Sequence, residues 1–555
     1  MIKHTIRFIV AAALMCNVAF AQSVDEGKKA YYYERYKTAK EILEKAFAAK
    51  PDDVQAAYWL GQTLIEMHDT AGAKAVFQKA LQTKGSDPLL LVGAGHVELL
   101  EKKTNDARQR FEVAIQNSKA KDIDVLNAVG HANVDAADGD AKYAIDKLTL
   151  ATQVKKFKEP DVYINLGDAQ RKLMDGGAAV SAYQNALTLD PKLAEANYKI
   201  AKIYVTQGPE QKDIFLKNFN EAITLDPAYA PAYYDLYSYW YSRDVNKAKE
   251  YFAKYKANTD FTPAVEAEEI SLVYASGDFK GAIAKADEKL QKDGDKADVT
   301  LYRTKAYAYD KLGDSTNALK NMETFFSKAS PDVLLPDNYV KMAEISAKFP
   351  DKVAQADDYF NKVIAMDTLT ASRVQYATAA SNMYKKLNNR ARSAEWLTKI
   401  LTYKPNYGKT DLFYAGWENF YGQVYTTADS VAGLYKAKYP DDMQGYYLGF
   451  RVKWAVDSTM EKGLPLDDAK KFIELAEVDK VKYKQSLLLA YGYMAGYNAN
   501  ILKDYATAIT YLDKIIEVDP GNADAQANKE VLQKALNKPA PKQPAAGQTK
   551  KTGTK

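Results

Sequence analysis

The stretch Pro160–Leu193, PDVYINLGDAQRKLMDGGAAVSAYQNALTLDPKL, decides the fold. Counted from Pro160, it places Tyr163 at position 4, Leu166 at 7, Gly167 at 8, Ala179 at 20, Tyr183 at 24, Ala186 at 27 and Pro191 at 32. Two apolar-periodic segments are split by Asp175-Gly176-Gly177, and Asp190-Pro191 stops the second. This predicts a helix–turn–helix. Gly167, Ala179 and Ala186 are small where the helices approach, and Tyr163, Leu166 and Tyr183 fill the space around them.

The spacing recurs along the chain. Gly27, Ala39, Leu43, Ala46 and Pro51 carry it first, then Gly61, Ala73, Phe77 and Ala80, then Gly95, Ala107, Phe111 and Ala114. Phe219, Ala222 and Pro227 close a later unit, as do Ala248 and Phe252. Gly416, Ala428, Ala432 and Pro440 repeat it, and Ala508, Leu512, Ile515 and Pro520 give the last. The pattern resembles the tetratricopeptide (TPR) repeat, a 34-residue helix–turn–helix. The resemblance implies an all-α, right-handed α-solenoid, with about fourteen units by this template. Length alone would suggest several domains at about 150 residues each, but a solenoid grows without a central core.

Residues 1–21 read as a secretory signal peptide. Lys3 and Arg7 charge its start, Phe8 to Phe20 is apolar, and Ala19-Phe20-Ala21 is an A-x-A cleavage site before Gln22. The apolar run is too short for a membrane span of about 20 residues. The single cysteine, Cys16, lies inside this segment and Ala13-Leu14-Met15 fits a lipobox poorly, so the mature chain is expected without thiol or lipid and without a transmembrane segment. An exported, periplasmic or envelope-associated bacterial protein is what the resemblance then implies. Residues 22–262 form an N-terminal array and residues 263–537 a more degenerate one. Its penultimate unit is lengthened by an insertion at Asp457–Leu466, and Asn522–Asn537 reads as a capping helix. Residues 538–555, KPAPKQPAAGQTKKTGTK, carry nothing apolar beyond alanine and support no fold.

Charge excludes one class of partner. The chain is +4, but Lys3, Arg7 and the five tail lysines supply more than that, so the repeats themselves are slightly acidic. A nucleic-acid binder needs a concentrated basic face. Catalysis finds no footing either, because there is no H-E-x-x-H, no paired CxxC and no Walker sequence. Neither an enzyme nor a cofactor is expected. Asp135, Asp138 and Asp140 around Gly139 lack calcium-loop spacing and suit an inter-helix turn. His96, His131 and Asp168 hold position 9 of three successive first helices, which in TPR arrays lines the concave groove, with Asp135 on the same face as His131. They are the only metal candidates, and ordinary groove polarity is the leading reading, since a metal site needs about four converging ligands.

Aromatic residues point more clearly. Most of the 41 tyrosines sit at core positions of the repeat. In the unit Lys409–Pro440, however, Leu412, Ala415 and Gly416 fill the core, while Phe413, Trp417, Phe420 and Tyr421 fall at groove positions 5, 9, 12 and 13 in one stripe. Tyr447 and Trp454 extend it in the next unit. Repacking across the Asp457 insertion would bury the stripe; otherwise it is a binding surface of hot-spot composition. The expected function is an exported scaffold or adaptor that takes a protein or peptide in its concave groove. The family's carboxylate clamp is absent, because Ile164, Asp168, Tyr198 and Lys202 occupy its positions. The alternative is a glycan-binding helical-repeat protein of an envelope uptake system, which would use the same aromatics as a platform.

Overall fold

A computed structural model of the chain describes residues 23–537; the expected signal peptide and the basic tail lie outside them. The described residues form twenty-nine α-helices and no strand. Their starts follow from capping chemistry. Asp53, Asp87, Asp175, Asp278 and Asp504 each precede a helix and accept hydrogen bonds from backbone N–H groups of its first turn, satisfying donors that the helix cannot use itself. Pro191 follows the helix Gly176–Leu189, where a missing N–H does no harm.

Each helix packs mainly on its neighbours in the chain, and the first helices of successive pairs also touch one another. One steric device joins the two helices of a pair. A Cβ added at Gly167 would lie 2.3 Å from the ring of Tyr183, at Gly61 2.1 Å from Phe77, and at Gly95 2.5 Å from Phe111. Glycine at position 8 thus makes room for a fully buried ring at position 24. Gly416 departs from the rule. Its pair carries only Ala432 at that position, and Leu448 of the next pair fills the gap, 2.2 Å from the hypothetical Cβ. The chain divides into two compact units, up to Leu312 and from Gly313.

The first unit closes on itself. Tyr33 donates to Asp226 Oδ2 at 2.9 Å, and the Tyr32 and Tyr229 rings lie 5.5 Å apart. The helix Tyr36–Ala49 starts after Arg35, which offers no capping side chain. Asp260 supplies the cap from 222 residues away: Oδ2 accepts from the N–H of Lys37 at 2.8 Å and of Thr38 at 3.2 Å, while Oδ1 accepts from the Thr38 hydroxyl. Those are the second and third N–H groups of the helix, the pair that an N-cap normally serves.

In the second unit the helices Lys409–Tyr421, Met443–Val456 and Lys484–Tyr497 are successive first helices. The insertion is ordered by Asp457, which is 5% exposed and accepts from the N–H of Lys462 at 3.3 Å and of Leu464 at 3.1 Å. Asp468, equally buried, receives Lys436 at 2.6 Å and Lys453 at 2.7 Å, tying the helix Leu466–Ala476 to its neighbours. Burial works against the Lys453 charge, but Asp468 overrides it and holds the ammonium above the ordinary lysine range. The helix Ala523–Leu536 closes the unit with Ala525 alone buried, so its outer face is polar.

Candidate binding groove

The second unit contains a cavity of about 570 Å³. The helix Lys409–Tyr421 supplies its main wall. Leu412, Ala415 and Gly416 on the other side of that helix are fully buried and fix which face turns outward. Phe413, Trp417 and Tyr421 then line the cavity at i, i+4 and i+8, with Tyr414 beside them. Tyr414 is 60% exposed and Tyr421 56%, whereas Trp417 is half-buried. Tyr447 comes from the next first helix, 5.6 Å from Trp417, and lies tilted against Phe472 of the helix behind the insertion at 4.8 Å.

Two sequence candidates stand elsewhere. Phe420 lies behind Trp417 at 5.5 Å, against Tyr425 and under the Arg451 guanidinium, and supports the wall from the rear. Trp454 belongs to the neighbouring core, 5.4 Å from Phe450 and 5.3 Å from Tyr493. The turn at Asp457 brings the helix Lys484–Tyr497 over its ring, so Trp454 does not extend the stripe.

The polar members were not legible as such. Glu418 follows Trp417, is 7% exposed and lines the cavity with Oε1 lacking any hydrogen-bond partner; Lys385 Nζ lies 3.8 Å from its other oxygen. Arg451 donates to the Tyr447 hydroxyl at 3.2 Å, and Arg390 rides over the Tyr421 ring at 5.4 Å. A basic residue four places after a groove tyrosine, Tyr447 to Arg451, was the one signal that could have flagged them.

The position-9 constellation of the first unit does not gather as a ligand set. His96 is fully buried, with Nδ1 3.1 Å from Gln62 Oε1 and Nε2 3.0 Å from Asp135 Oδ2. His131 meets it edge-on at 5.9 Å. Burial pushes the His96 imidazole below its ordinary value, so it is neutral near pH 7. Its Nε2–H then donates to Asp135, and a turned Gln62 amide serves Nδ1; that amide nitrogen is otherwise without a partner. Asp168 is engaged separately, accepting from the Tyr183 hydroxyl and from Lys199 Nζ, both at 2.7 Å. Among the described residues no three His, Cys, Asp or Glu side chains are grouped to hold a metal ion. The reason is packing: with a ring at position 24 of one pair and an aspartate at position 9, the carboxylate turns to the tyrosine rather than to the histidines.

Tetratricopeptide-repeat family models match residues 30–91, and again residues 160–193 and 493–522. These stretches are tetratricopeptide repeats. No curated protein matches the chain. Among solved structures, the C-terminal part of a TPR repeat-containing protein from Cytophaga hutchinsonii is 22% identical, covering 47% of this chain and 99% of that one with a TM-score of 0.31. YrrB, described as a TPR protein with an unusual peptide-binding site, is 21% identical over 35% of this chain and 96% of its own, with a TM-score of 0.23. Yeast Tom70 is 12% identical over 73% of this chain and 97% of its own, with a TM-score of 0.37. No helix of the described part of the chain is long and apolar enough to cross a membrane.

Proposed function

We propose that this protein is an exported scaffold that docks a protein or peptide partner in the aromatic groove of its second unit. The observation that carries the reading is the wall of Phe413, Trp417, Tyr421 and Tyr447 around a 570 Å³ cavity, on a helix whose core positions are already filled by smaller residues. Aromatic side chains left facing such a cavity have burial still to gain, and aromatic anchors of this kind dominate binding energies. The cavity is large enough for one or two side chains of an extended or helical segment. Export rests on the segment before Gln22, and the mature chain would start there.

The test is selection of displayed random peptides on the purified chain, repeated on Trp417→Ala. Binders that are enriched on the wild type and lost on the folded variant support the reading. Enrichment unaffected by the substitution would move the site elsewhere. Intact-mass analysis of the envelope fraction checks the start at Gln22; an acylated species beginning at Cys16 would overturn that part.

A further inference from the structure

The charges in and around the groove say more about its occupant, given that the groove binds peptides as proposed above. Several inward-facing cations elsewhere find carboxylates close by: Lys199 meets Asp168 at 2.7 Å, Lys202 meets Asp235 at 3.0 Å, and Lys436 and Lys453 share Asp468. Arg390 and Arg451 do not. Each lies over groove aromatics, Arg451 5.2 Å from Phe420 and 5.8 Å from Tyr447, and neither pairs with a carboxylate among the described residues. With Lys385 they set three cations around the cavity against the single carboxylate of Glu418. Arg451 spends one donor on the Tyr447 hydroxyl, but a guanidinium held on an aromatic face keeps further donors at its edge, the geometry that suits a carboxylate.

Glu418 offers the occupant no free acceptor: its Oε1 is buried and unpaired, and its other oxygen lies 3.8 Å from Lys385 Nζ. The aromatic wall narrows the choice further. Trp417 has Phe420, Tyr421 and Tyr447 within 5.5 to 5.8 Å, at interplanar angles from 31° to 83°. Trp417 is therefore packed among other rings rather than standing as an isolated flat platform.

We infer that the groove selects an extended peptide segment in which an acidic residue adjoins an apolar one. The apolar side chain enters the cavity beside Trp417, Tyr421 and Tyr447, and the acidic side chain pairs with Arg451 or Arg390. The acidic residue supplies the specificity and the apolar one the affinity, because charge complementarity mainly selects partners while aromatic contacts carry the binding energy.

The experiment uses fluorescein-labelled decapeptides with a central Leu-Phe pair flanked by glutamates, by lysines or by serines, titrated against the mature full-length chain. A uronic-acid oligosaccharide serves as the competing chemistry. The glutamate peptide should bind about tenfold tighter than the lysine peptide at low ionic strength, and the gap should collapse towards 1 M salt, where screening acts within about 3 Å. This comparison needs no variant and so does not depend on one folding. The double substitution Arg390→Gln and Arg451→Gln should weaken the glutamate peptide about tenfold and leave the serine peptide nearly unchanged. Equal binding of the three peptides, with Trp417→Ala abolishing it, would overturn the acidic preference and leave the peptide groove standing. Binding of the oligosaccharide with no binding of any peptide would overturn both. Failure of the glutamate peptide to bind at all overturns the inference.

Discussion

The inward faces of the two units are built from the same repeat and end in opposite states. In the first, position 9 and its neighbours pair with one another: Asp168 with Tyr183 and Lys199, Lys202 with Asp235, His96 with Asp135. The N-terminal turn then lays Tyr31 against Glu66 and Tyr33 against Asp226. In the second, the Lys409–Tyr421 helix turns aromatics to a cavity, and Arg390 and Arg451 lie over its rings with no carboxylate partner among the described residues. A solenoid's groove is available for a partner only where the repeats do not satisfy each other across it.

The largest effect should come from attacking the device that both units share. Gly167→Leu forces a side chain into the space held by the buried Tyr183 ring, 2.3 Å from the added Cβ, at a cost of about 3 kcal/mol. Hydrogen exchange should report the damage as regional, because each repeat leans only on its neighbours. Loss of protection spread evenly over both units would deny that they are separable.

A paired substitution tests whether the groove wall is surface or core. Trp454→Ala opens a hole in a packed cluster and should lower the melting temperature, costing about 2 to 3 kcal/mol of stability at its partial burial. Trp417→Ala should leave melting nearly unchanged and remove about 2 kcal/mol of binding to the glutamate decapeptide. If the two exchange places, the open groove does not lie along the Lys409–Tyr421 helix.

Closure of the first unit is sharper to probe from a distance. Asp260→Ala removes the cap of the Tyr36–Ala49 helix and should cost about 1 kcal/mol, with exchange rising over residues 36–49 rather than around position 260 alone. Unchanged protection there would mean that the cap contributes nothing to closure.

The smallest effect is the pH dependence of Glu34, which faces the crowded interior of the closed unit. Surrounding protein, and then Glu66, Glu195 and Asp235, push its carboxyl up to about 7 against the pull of Lys199. Water still reaches the side chain and screens part of this. A raised carboxyl favours the folded state below its unfolded value near 4.5, and that advantage is lost as pH rises through 7. Glu34→Gln should therefore raise the melting temperature slightly at pH 8 and hardly at pH 5. An equal shift at both values would show that Glu34 keeps an ordinary carboxylate in the fold.

Sequence by itself determined the helix pairs, since Asp175, Gly167, Tyr183 and Pro191 act within about one repeat length, where spacing along the chain is spacing in space. It also determined which face of Lys409–Tyr421 is core, because Leu412, Ala415 and Gly416 leave no room for the aromatics there. Tertiary structure alone decided the rest. Whether Trp454 joined the stripe depended on how the Asp457 turn folds back, and Leu448 rather than a residue of the same pair fills the space at Gly416. That Asp260 caps a helix 222 residues away, and that Glu418 Oε1 is buried without a partner, follow from how many repeats make a turn and which side chains meet across it. Those contacts sum small rotations over many repeats, and no local pattern of residues encodes that sum.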